Sequence, residues 1–390
     1  MKKILFLSHI YPPNIKEHLP NLKEGDMFQK TNANFELNFI SALIKHNDIE
    51  ITLVNQMFLK PTNLCVNEFN FEIENEKIKG INIKQNFSKK TLNRTKDLYT
   101  FYKNNDNIFC SVDAIIFSTY HDAKMFKKIL PGFNKKCLLL PDLPNFNVAK
   151  TSFKNSVFRK LLSFTFYKNL KHINYFFPIT KTMKDKIPNA KNKKFYFYDG
   201  VYEEAFDQMS ILKRGNFIFY GGSLNIKYGI LDLLNGYLNS QAKSKYELRV
   251  AGGGNELNNL KSNYNDIFLG LVKKEDCLKL EAQASLLVVP ENGDEKYAKY
   301  SFHSKILEYL CSGTPTLLFY YDGIPEDLLP FCNLIDKKGI DNAKSISLAL
   351  DKNLNSLSKL KEKAKLGKTY IKETRSKEVI GNNVYNFLFK

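Results

Sequence analysis

The sequence predicts an α/β protein made of two Rossmann-like domains, each built around a parallel β-sheet. Short apolar runs bounded by turn residues alternate with segments of helical periodicity over nearly the whole chain. This alternation is typical of parallel α/β layers. A second series of the same kind begins near Phe217, and 390 residues are enough for two domains.

In the first half, five apolar runs are predicted strands: residues 4–8, 49–54, 114–118, 137–140 and 175–177. A helix is predicted over 35–45, because its apolar residues recur on one face. Residues 71–84 alternate between apolar and polar, which predicts an antiparallel pair at a sheet edge. The apolar start of the chain is too short for a signal peptide or a membrane span, and we assign it to the first strand.

The second series contains a predicted helix at 227–238 and predicted strands at 217–220, 248–251, 267–269, 285–289 and 316–319. Glycine turns follow the first two of these strands, at 221–222 and 252–254. The pattern lapses over 199–216, so the predicted domains are 1–205 and 206–375. Open parallel sheets bind ligands at the carboxyl ends of their strands, which predicts a substrate in a cleft between the domains.

Composition limits the partners and the compartment. The chain has 58 Lys and Arg against 40 Asp and Glu, a formal net charge of +18, which favours an anionic partner such as nucleic acid, phospholipid or a phosphorylated small molecule. With 43% hydrophobic residues it can bury a large core. Its six cysteines are scattered without Cys-x-x-Cys spacing, which argues against a disulfide framework or zinc site and fits a reducing cytoplasm.

The most informative stretch is 290–315. A polar loop follows an apolar strand and leads into a helix that Gly313 and Pro315 end. Free amides at the helix start, near Ser301 to Ser304, attract a phosphate. Glu308 lies roughly 7 Å further along the helix, so one ligand could place a diphosphate on the helix start and a ribose diol on this carboxylate. Alternatively, Glu308 faces solvent or pairs with Lys305 on an exposed face.

These residues carry a resemblance to the retaining GT-B glycosyltransferases of family 4, in particular the capsular and exopolysaccharide enzymes. The resemblance covers most of the chain and is strongest from 217 to 330. The matching stretches are the signature at 301–305 with Glu308 and Tyr309, and the segments 220–224, 228–230, 250–254, 323–326, 141–144 and 180–183. The resemblance implies the GT-B fold and a last helix, 376–390, that packs back on the first domain.

The resemblance also implies donor-site roles. Glu308 corresponds to the glutamate that holds the donor ribose, whereas the family's first glutamate falls on Tyr300. Acidic residues of the preceding loop, Glu291, Asp294 and Glu295, could substitute for it, or the Tyr could reflect different sugar recognition. His303 replaces a Gly or Pro near the diphosphate, with a core or solvent histidine as the alternative.

A leaving diphosphate needs a cation. Ser223 stands where the family has an Arg, and Lys227 is one place before the expected Lys. Lys227 and Lys305 are the candidates, and each could instead be a surface lysine. The complete predicted substrate-binding set is Gly222, Ser223, Lys227, Gly252, Gly253, Tyr300, Ser301, Phe302, His303, Ser304, Lys305 and Glu308.

In the first domain, His121 and Asp142 follow predicted strands, where they could orient the donor sugar or the acceptor. The alternative for Asp142, and for the neighbouring Asp122, is a helix N-cap. The predicted catalytic residues are therefore His121, Asp142, Lys227 and Lys305. The chain contains no Asp-x-Asp, so metal independence is expected; no cofactor is predicted, and no covalent nucleophile is assigned.

Residues 143–184 contain no Asp or Glu, and eight Lys and Arg lie there among aromatic residues. This composition predicts docking on an anionic membrane surface through 146–175. A solvated basic face and a nucleic-acid patch are the alternatives. No nucleic-acid-binding motif is present, so nucleic acid is not the expected partner.

Together these observations predict a cytoplasmic enzyme at the inner face of the plasma membrane. It would move a hexose from a nucleotide diphosphate donor, preferably a UDP-sugar, to a lipid-linked or surface glycan of a capsule, lipooligosaccharide or exopolysaccharide. A sugar-nucleotide epimerase of the same fold and a non-catalytic GT-B partner or binding protein are the alternatives.

Overall fold

The computed structural model describes residues 1–27, 30–59, 65–73, 78–86, 92–144, 153–337 and 339–390. The chain forms two compact units. The first comprises Met1–Val201 and Lys377–Lys390, and the second comprises Tyr202–Ser376. The sequence analysis placed these boundaries at 205/206 and 375/376.

An eight-stranded sheet forms the centre of the first unit. The strands of this unit are β1 (Lys2–Ser8), β2 (Ile49–Asn55), β3 (Cys65–Val66), β4 (Phe69–Ile73), β5 (Ile78–Asn82), β6 (Gln85–Asn86), β7 (Ala114–Phe117), β8 (Lys135–Leu140), β9 (Tyr175–Pro178) and β10 (Lys194–Phe195). The sheet order is β10-β9-β8-β7-β1-β2-β5-β4. Every pair is parallel except β4 and β5 at the edge, and β3 pairs separately with β6.

Helices flank this sheet because its strands are apolar on both faces. They are α1 (Ile15–His18), α2 (Lys30–Leu43), α3 (Leu92–Asn104), α4 (Asp106–Phe109), α5 (Ala123–Ile129) and α6 (Phe153–Asn169). The four residues of β7 are all buried, as expected for a central parallel strand. Phe6, Phe39, Leu53 and Phe177 belong to one core cluster that joins the sheet to α2.

The second unit has a six-stranded, fully parallel sheet of order β13-β12-β11-β14-β15-β16. Its strands are β11 (Phe217–Gly221), β12 (Glu247–Ala251), β13 (Phe268–Gly270), β14 (Leu286–Val289), β15 (Thr316–Phe319) and β16 (Asn333–Ile335). Its helices are α7 (Ala205–Gln208), α8 (Ile230–Leu238), α9 (Leu257–Asn263), α10 (Lys274–Gln283), α11 (Ser304–Ser312), α12 (Asn342–Leu354) and α13 (Leu357–Arg375).

The last helix, α14 (Lys377–Phe389), belongs to the first unit and packs against α2. Gly381 permits this packing, because a Cβ there would lie 2.2 Å from the carbonyl oxygen of Ala42. The rings of His46 and Tyr385 stack at the same interface, with centroids 3.7 Å apart.

The predicted fold class, α/β with two parallel-sheet domains, is confirmed. All the predicted strands exist, and the antiparallel edge pair predicted for 71–84 is formed by β4 and β5, with β4 beginning two residues earlier, at Phe69. The predicted helix 227–238 is wrong in its first turn: a 3-10 turn, Ile226–Tyr228, precedes α8, and Gly229 separates them at φ +77°. A Cβ at position 229 would lie 2.3 Å from the carbonyl oxygen of Pro290, so this position requires a glycine.

Across the part of the chain that the structure describes, no helix combines the length and the apolar character needed to cross a membrane.

Candidate functional site

The candidate donor residues of the second unit follow neighbouring strands at one sheet edge. Gly222, Ser223 and Lys227 come after β11, and Gly252 and Gly253 come after β12. The loop from Pro290 to His303 follows β14 and leads into α11. Because β11, β12 and β14 are parallel and adjacent, their carboxyl ends meet at this edge.

The two glycine turns pack directly against each other. Gly222 N–H donates to Ala251 O at 2.9 Å, and Leu224 N–H donates to Gly253 O at 2.9 Å. Gly252 has φ +145°, and a Cβ there would lie 1.8 Å from the carbonyl oxygen of Gly222. The sequence analysis assigned Gly252 to the substrate-binding set; the structure shows that the neighbour requiring a glycine at this position is the other turn.

Lys227 and Ser223 lie beside these turns. Asn225 Nδ2 donates to Ser223 Oγ at 2.6 Å. Lys227 Nζ lies 4.4 Å from the ring centroid of Tyr228 and 5.8 Å from that of Tyr297. Within the described ranges Lys227 forms no ion pair, so its charge has no carboxylate to neutralise it.

His303 is packed at the start of α11. Its Nε2 lies 2.8 Å from Glu291 Oε2, and its backbone N–H donates to Tyr321 Oη at 3.2 Å. Tyr297 Oη donates to the other Glu291 oxygen at 2.7 Å. His303 is the residue before α11 and provides no side-chain cap, so the first amides of the helix lack a capping side chain.

The other predicted residues of this loop differ in exposure. The side chains of Tyr300 and Phe302 are buried, and Ser301 Oγ donates to Ala298 O at 3.2 Å. Of the acids that could replace the first glutamate, Glu291 is buried beside His303, whereas Asp294 pairs with Lys337. The helix itself begins at Ser304.

Lys305 is shared between two carboxylates. Its Nζ contacts Glu308 Oε1 and lies 3.0 Å from Oε1 of Glu281, which extends from α10. The side chain of Glu281 is fully buried, while that of Glu308 is 23% exposed. The Lys305–Glu308 ion pair that the sequence analysis gave as an alternative does form. It is part of a partly buried triad with Glu281, however, and does not lie on an exposed face.

The two carboxylates of this triad have opposite pKa shifts. Burial and the charge of Glu308 raise the pKa of Glu281 to about 8. Burial alone would raise the pKa of Glu308, but the charge of Lys305 and the hydrogen bond with Glu281 outweigh it, and the pKa is lowered. At neutral pH Glu281 is thus protonated and Glu308 ionised.

The sequence analysis missed Glu281 and the role of Tyr309. Tyr309 is buried, and its Oη accepts the Gly221 N–H at 2.9 Å, which joins α11 to the first glycine turn. Tyr309 stands in the signature, so its position was available from the sequence. Glu281 gave no signal, because only the packing of α10 on α11 brings it to Lys305.

The structure places His121 and Asp142 in the first unit, after the adjacent strands β7 and β8. Asp142 Oδ2 accepts from Asn32 Nδ2 at 3.2 Å. The two ring nitrogens of His121 are shielded from solvent, and neither has a hydrogen-bond partner among the residues described. Burial and the charge of Arg94 lower the pKa of His121 to about 3, so the ring is neutral.

Neither Asp142 nor Asp122 caps a described helix, although the sequence analysis gave a helix N-cap as the alternative role of both. The turn that contains His121 and Asp122 is capped by Thr119, whose Oγ1 accepts the His121 N–H at 3.2 Å. Asp122 instead lies in a buried group of charged residues with His9, Glu36 and Arg94. The sequence analysis did not identify this group.

No protein-family model and no curated protein matches the sequence. Solved structures do match. A sucrose-phosphate synthase from Thermosynechococcus elongatus aligns with TM-score 0.68 at 13% identity, over 100% of this chain and 99% of that chain. A UDP-forming α,α-trehalose-phosphate synthase from Burkholderia xenovorans gives TM-score 0.61 at 12% identity, over 100% and 99%. HepE from Anabaena, in complex with UDP, aligns with TM-score 0.59 at 11% identity, over 100% of this chain and 99% of that chain. The chain therefore has the GT-B fold.

We expect Gly252→Ala to destabilise the second unit by about 3 kcal/mol or more, because the new Cβ meets a backbone oxygen at an unfavourable φ. Gly253→Ala is the matched control. The nearest atoms to its Cβ would belong to the Leu271 side chain, with Cδ2 at 3.1 Å, and this exposed side chain can move, so a loss below about 1 kcal/mol is expected. Urea unfolding measures both, and equal losses would contradict the assignment.

The triad of Lys305, Glu281 and Glu308 predicts that the free energy of unfolding depends on pH, and Glu281→Gln should reduce this dependence. The pKa of Glu281 is raised to about 8 in the folded chain, so between roughly pH 4.5 and 8 only the unfolded chain gives up this proton. Rising pH therefore lowers the free energy of unfolding of the wild type, and this loss should be smaller in Glu281→Gln. Urea unfolding from pH 5 to 9 measures it, with Glu275→Gln on the exposed side of α10 as control. Parallel profiles for all three proteins would refute the protonation assigned to Glu281.

Proposed function

We propose that this protein is a metal-independent, retaining glycosyltransferase that moves a hexose from a UDP-sugar to a lipid-linked or surface glycan of a capsule, lipooligosaccharide or exopolysaccharide. One observation carries the proposal. At one edge of the second sheet, the α11 start lacks a side-chain cap, Lys227 has no ion-pair partner within the described ranges, and Glu308 is ionised and partly exposed. This combination suits a nucleoside diphosphate.

The donor would be held by its charged and its polyhydroxyl parts separately. Lys227 and the first amides of α11 face the diphosphate, where helix N-termini and cations favour phosphate. Glu308 uses its remaining oxygen lone pairs to accept hydrogen bonds from the two ribose hydroxyls. Lys305 cannot serve the diphosphate alone, because its ammonium group is already bound by the ionised Glu308 and by the protonated carboxyl group of Glu281.

The reaction forms a bond between an acceptor oxygen and the anomeric carbon, breaks the bond from that carbon to the diphosphate, and passes the proton of the acceptor hydroxyl to the departing diphosphate. Negative charge develops on the departing UDP, and Lys227 with the α11 amides would stabilise it. His121 and Asp142 are proposed to orient the sugar or the acceptor. A neutral His121 has one N–H to donate and one nitrogen to accept, which suits sugar hydroxyls.

The comparisons support uridine as the donor base. One matched structure is described as UDP-forming, and another is a complex with UDP. At 11–13% identity these matches support the fold, and the base remains part of the proposal.

Two substitutions test the two halves of the donor site separately. Glu308→Gln should weaken both uridine and UDP by about tenfold, because it removes the charged acceptor of the ribose hydroxyls. Lys227→Ala should weaken UDP by a similar factor and leave uridine unchanged. Isothermal titration calorimetry measures both, with Lys296→Ala, an exposed lysine of the same region, as control.

The outcomes separate the alternatives. A wild-type protein that binds none of the UDP-, GDP- or CMP-sugars would overturn both the transferase and the epimerase. Interconversion of donor sugars without an acceptor would identify the epimerase. If Glu308→Gln bound UDP as tightly as the wild type, the ribose assignment would fail even with activity intact.

We also propose that α6 docks on an anionic membrane, on the inner face of the plasma membrane. Residues 146–152 of the predicted surface lie outside the described residues. On α6, Leu161 and Phe164 are 60% and 63% exposed, and the exposed Lys160 and Lys168 lie on the same face. Lys168 Nζ is 5.8 Å from the Phe164 ring centroid. Exposed apolar side chains flanked by lysines suit the interface of an acidic bilayer.

The double substitution Leu161→Glu with Phe164→Glu should reduce binding to phosphatidylglycerol vesicles at least about tenfold, because it removes apolar area and adds two charges that the lipid repels. Co-sedimentation measures binding. Leu366→Glu, an equally exposed leucine of α13, is the control. Equal binding by the wild type and the double variant would exclude α6 as the docking surface.

A further inference from the structure

A buried network of charged and polar residues lies at the carboxyl ends of β1 and β7 in the first unit. It joins residues that are far apart in sequence: His9, Glu36, Arg94, Ser118, His121 and Asp122. Two helices contribute besides the two strand ends, since Glu36 is on α2 and Arg94 on α3. The predicted catalytic residue His121 belongs to this network, whereas its neighbours had no assigned role.

The hydrogen bonds determine the charge of His9. Ser118 Oγ donates to Leu7 O at 3.0 Å, so it must accept from His9 Nδ1, which lies 2.8 Å away. The other nitrogen, Nε2, lies 3.0 Å from Asp122 Oδ2 and therefore also carries a proton. His9 is an imidazolium. Burial and Arg94 lower its pKa, but Asp122 and Glu36 outweigh them and the pKa is raised.

Both carboxylates of the network, those of Glu36 and Asp122, contact His9. Glu36 Oε2 accepts the His9 backbone N–H at 2.7 Å, and its Oε1 lies 3.4 Å from the His9 ring. Asp122 lies against the opposite side of the ring. The nearest approach of Arg94 to Asp122 is 3.7 Å, which is longer than a hydrogen bond. Arg94 is thus close to a carboxylate that another cation already occupies.

Arg94 keeps most of its donors unused. Its Nε lies 3.4 Å from Gln56 Oε1, while both terminal nitrogens are shielded from solvent and have no hydrogen-bond partner in the described part of the chain. Its side chain is only 12% exposed. Buried donors without acceptors are rare in folded proteins, because each loses its hydration without compensation. Four such N–H groups on one guanidinium therefore indicate a ligand.

Phe58 connects Arg94 with His121. The guanidinium carbon lies 3.8 Å from the Phe58 ring centroid, and the His121 ring centroid is 5.4 Å from it. His121 is neutral, and neither of its nitrogens has a partner among the described residues. Phe58 and His121 are half-buried, so this part of the network reaches the surface.

We propose that Arg94 and His121 bind an oxyanion, a carboxylate or a phosphate group, on the acceptor of the transfer. A guanidinium presents paired N–H groups that match the two oxygens of an oxyanion, and the neutral imidazole supplies another N–H. A neutral hydroxyl would satisfy at most two of these donors. The inference rests on the proposed glycosyltransferase function, which assigns the donor diphosphate to the second unit and the acceptor to the first.

The experiment measures binding of three probes to the full-length protein by isothermal titration calorimetry at saturating UDP: glucuronate, glucose 6-phosphate and glucose. We expect at least one acidic sugar to bind ten or more times as tightly as glucose. Preference for glucuronate would identify a carboxylate, and preference for glucose 6-phosphate a phosphate. Arg94→Gln should abolish the preference, whereas Lys96→Gln, an exposed residue of the same helix, should retain it.

A structural role for Arg94 gives different results. If Arg94→Gln only lowers the melting temperature and keeps the ratio of acidic to neutral affinity, the inference is wrong. Arg94→Lys is less disruptive because it retains the charge. We expect this variant to prefer acidic sugars over glucose measurably, but less than the wild type does, and to melt near the wild-type temperature. Equal or undetectable binding of all three probes at millimolar concentration to a wild type that binds UDP would overturn this inference alone. Failure to bind UDP would overturn the proposed function instead.

Discussion

The sharing of Lys305 between Glu281 and Glu308 determines the chemistry of the second unit's candidate site. One ammonium cannot neutralise two carboxylates, so the more buried one holds a proton and the more exposed one stays ionised. Glu308 is consequently an acceptor fixed in place by an ion pair, with one side open to solvent. Because Lys305 is held in this triad, the proposed diphosphate contact falls to Lys227, which forms no ion pair among the described residues.

Close backbone contacts place these side chains. Gly252 lets the turns after β11 and β12 touch, Gly229 lets the start of α8 pass the Pro290 carbonyl, and Tyr309 ties α11 to Gly221. A parallel sheet brings loops to one edge, but only such contacts fix the distance between them. Gly252, which the sequence analysis assigned to substrate binding, therefore also has a part in the scaffold of the site.

The sequence predicted the elements with strong local patterns and missed those defined by distant contacts. Continuous apolar runs identified β7 and β8, whereas β10 and β16 have two and three residues and are too short to show a period. The pair Lys305–Glu308 was visible because its spacing is i, i+3. Glu281, His9 and Arg94 occupy polar positions that look like solvent-facing ones, and only tertiary packing reveals that they are buried. Their burial and their partners could therefore not be predicted from one sequence.

The two charge networks follow the same rule, although they lie on different sheets. In each, carboxylates are occupied by an internal cation: Lys305 in the second unit and the imidazolium of His9 in the first. In each, a further cation lies nearby. Lys227 has no ion-pair partner among the described residues, and the terminal N–H groups of Arg94 have no acceptor there. Most of the chain's lysines are exposed and screened by salt, so the formal charge of +18 governs general attraction to anions. Recognition of a particular anion depends on the few cations that are shielded from water, where an electrostatic interaction is several times stronger. The terminal nitrogens of Arg94 are shielded in this way, whereas Lys227 is half-buried, so the proposed recognition of anionic groups depends on these two positions more than on the net charge.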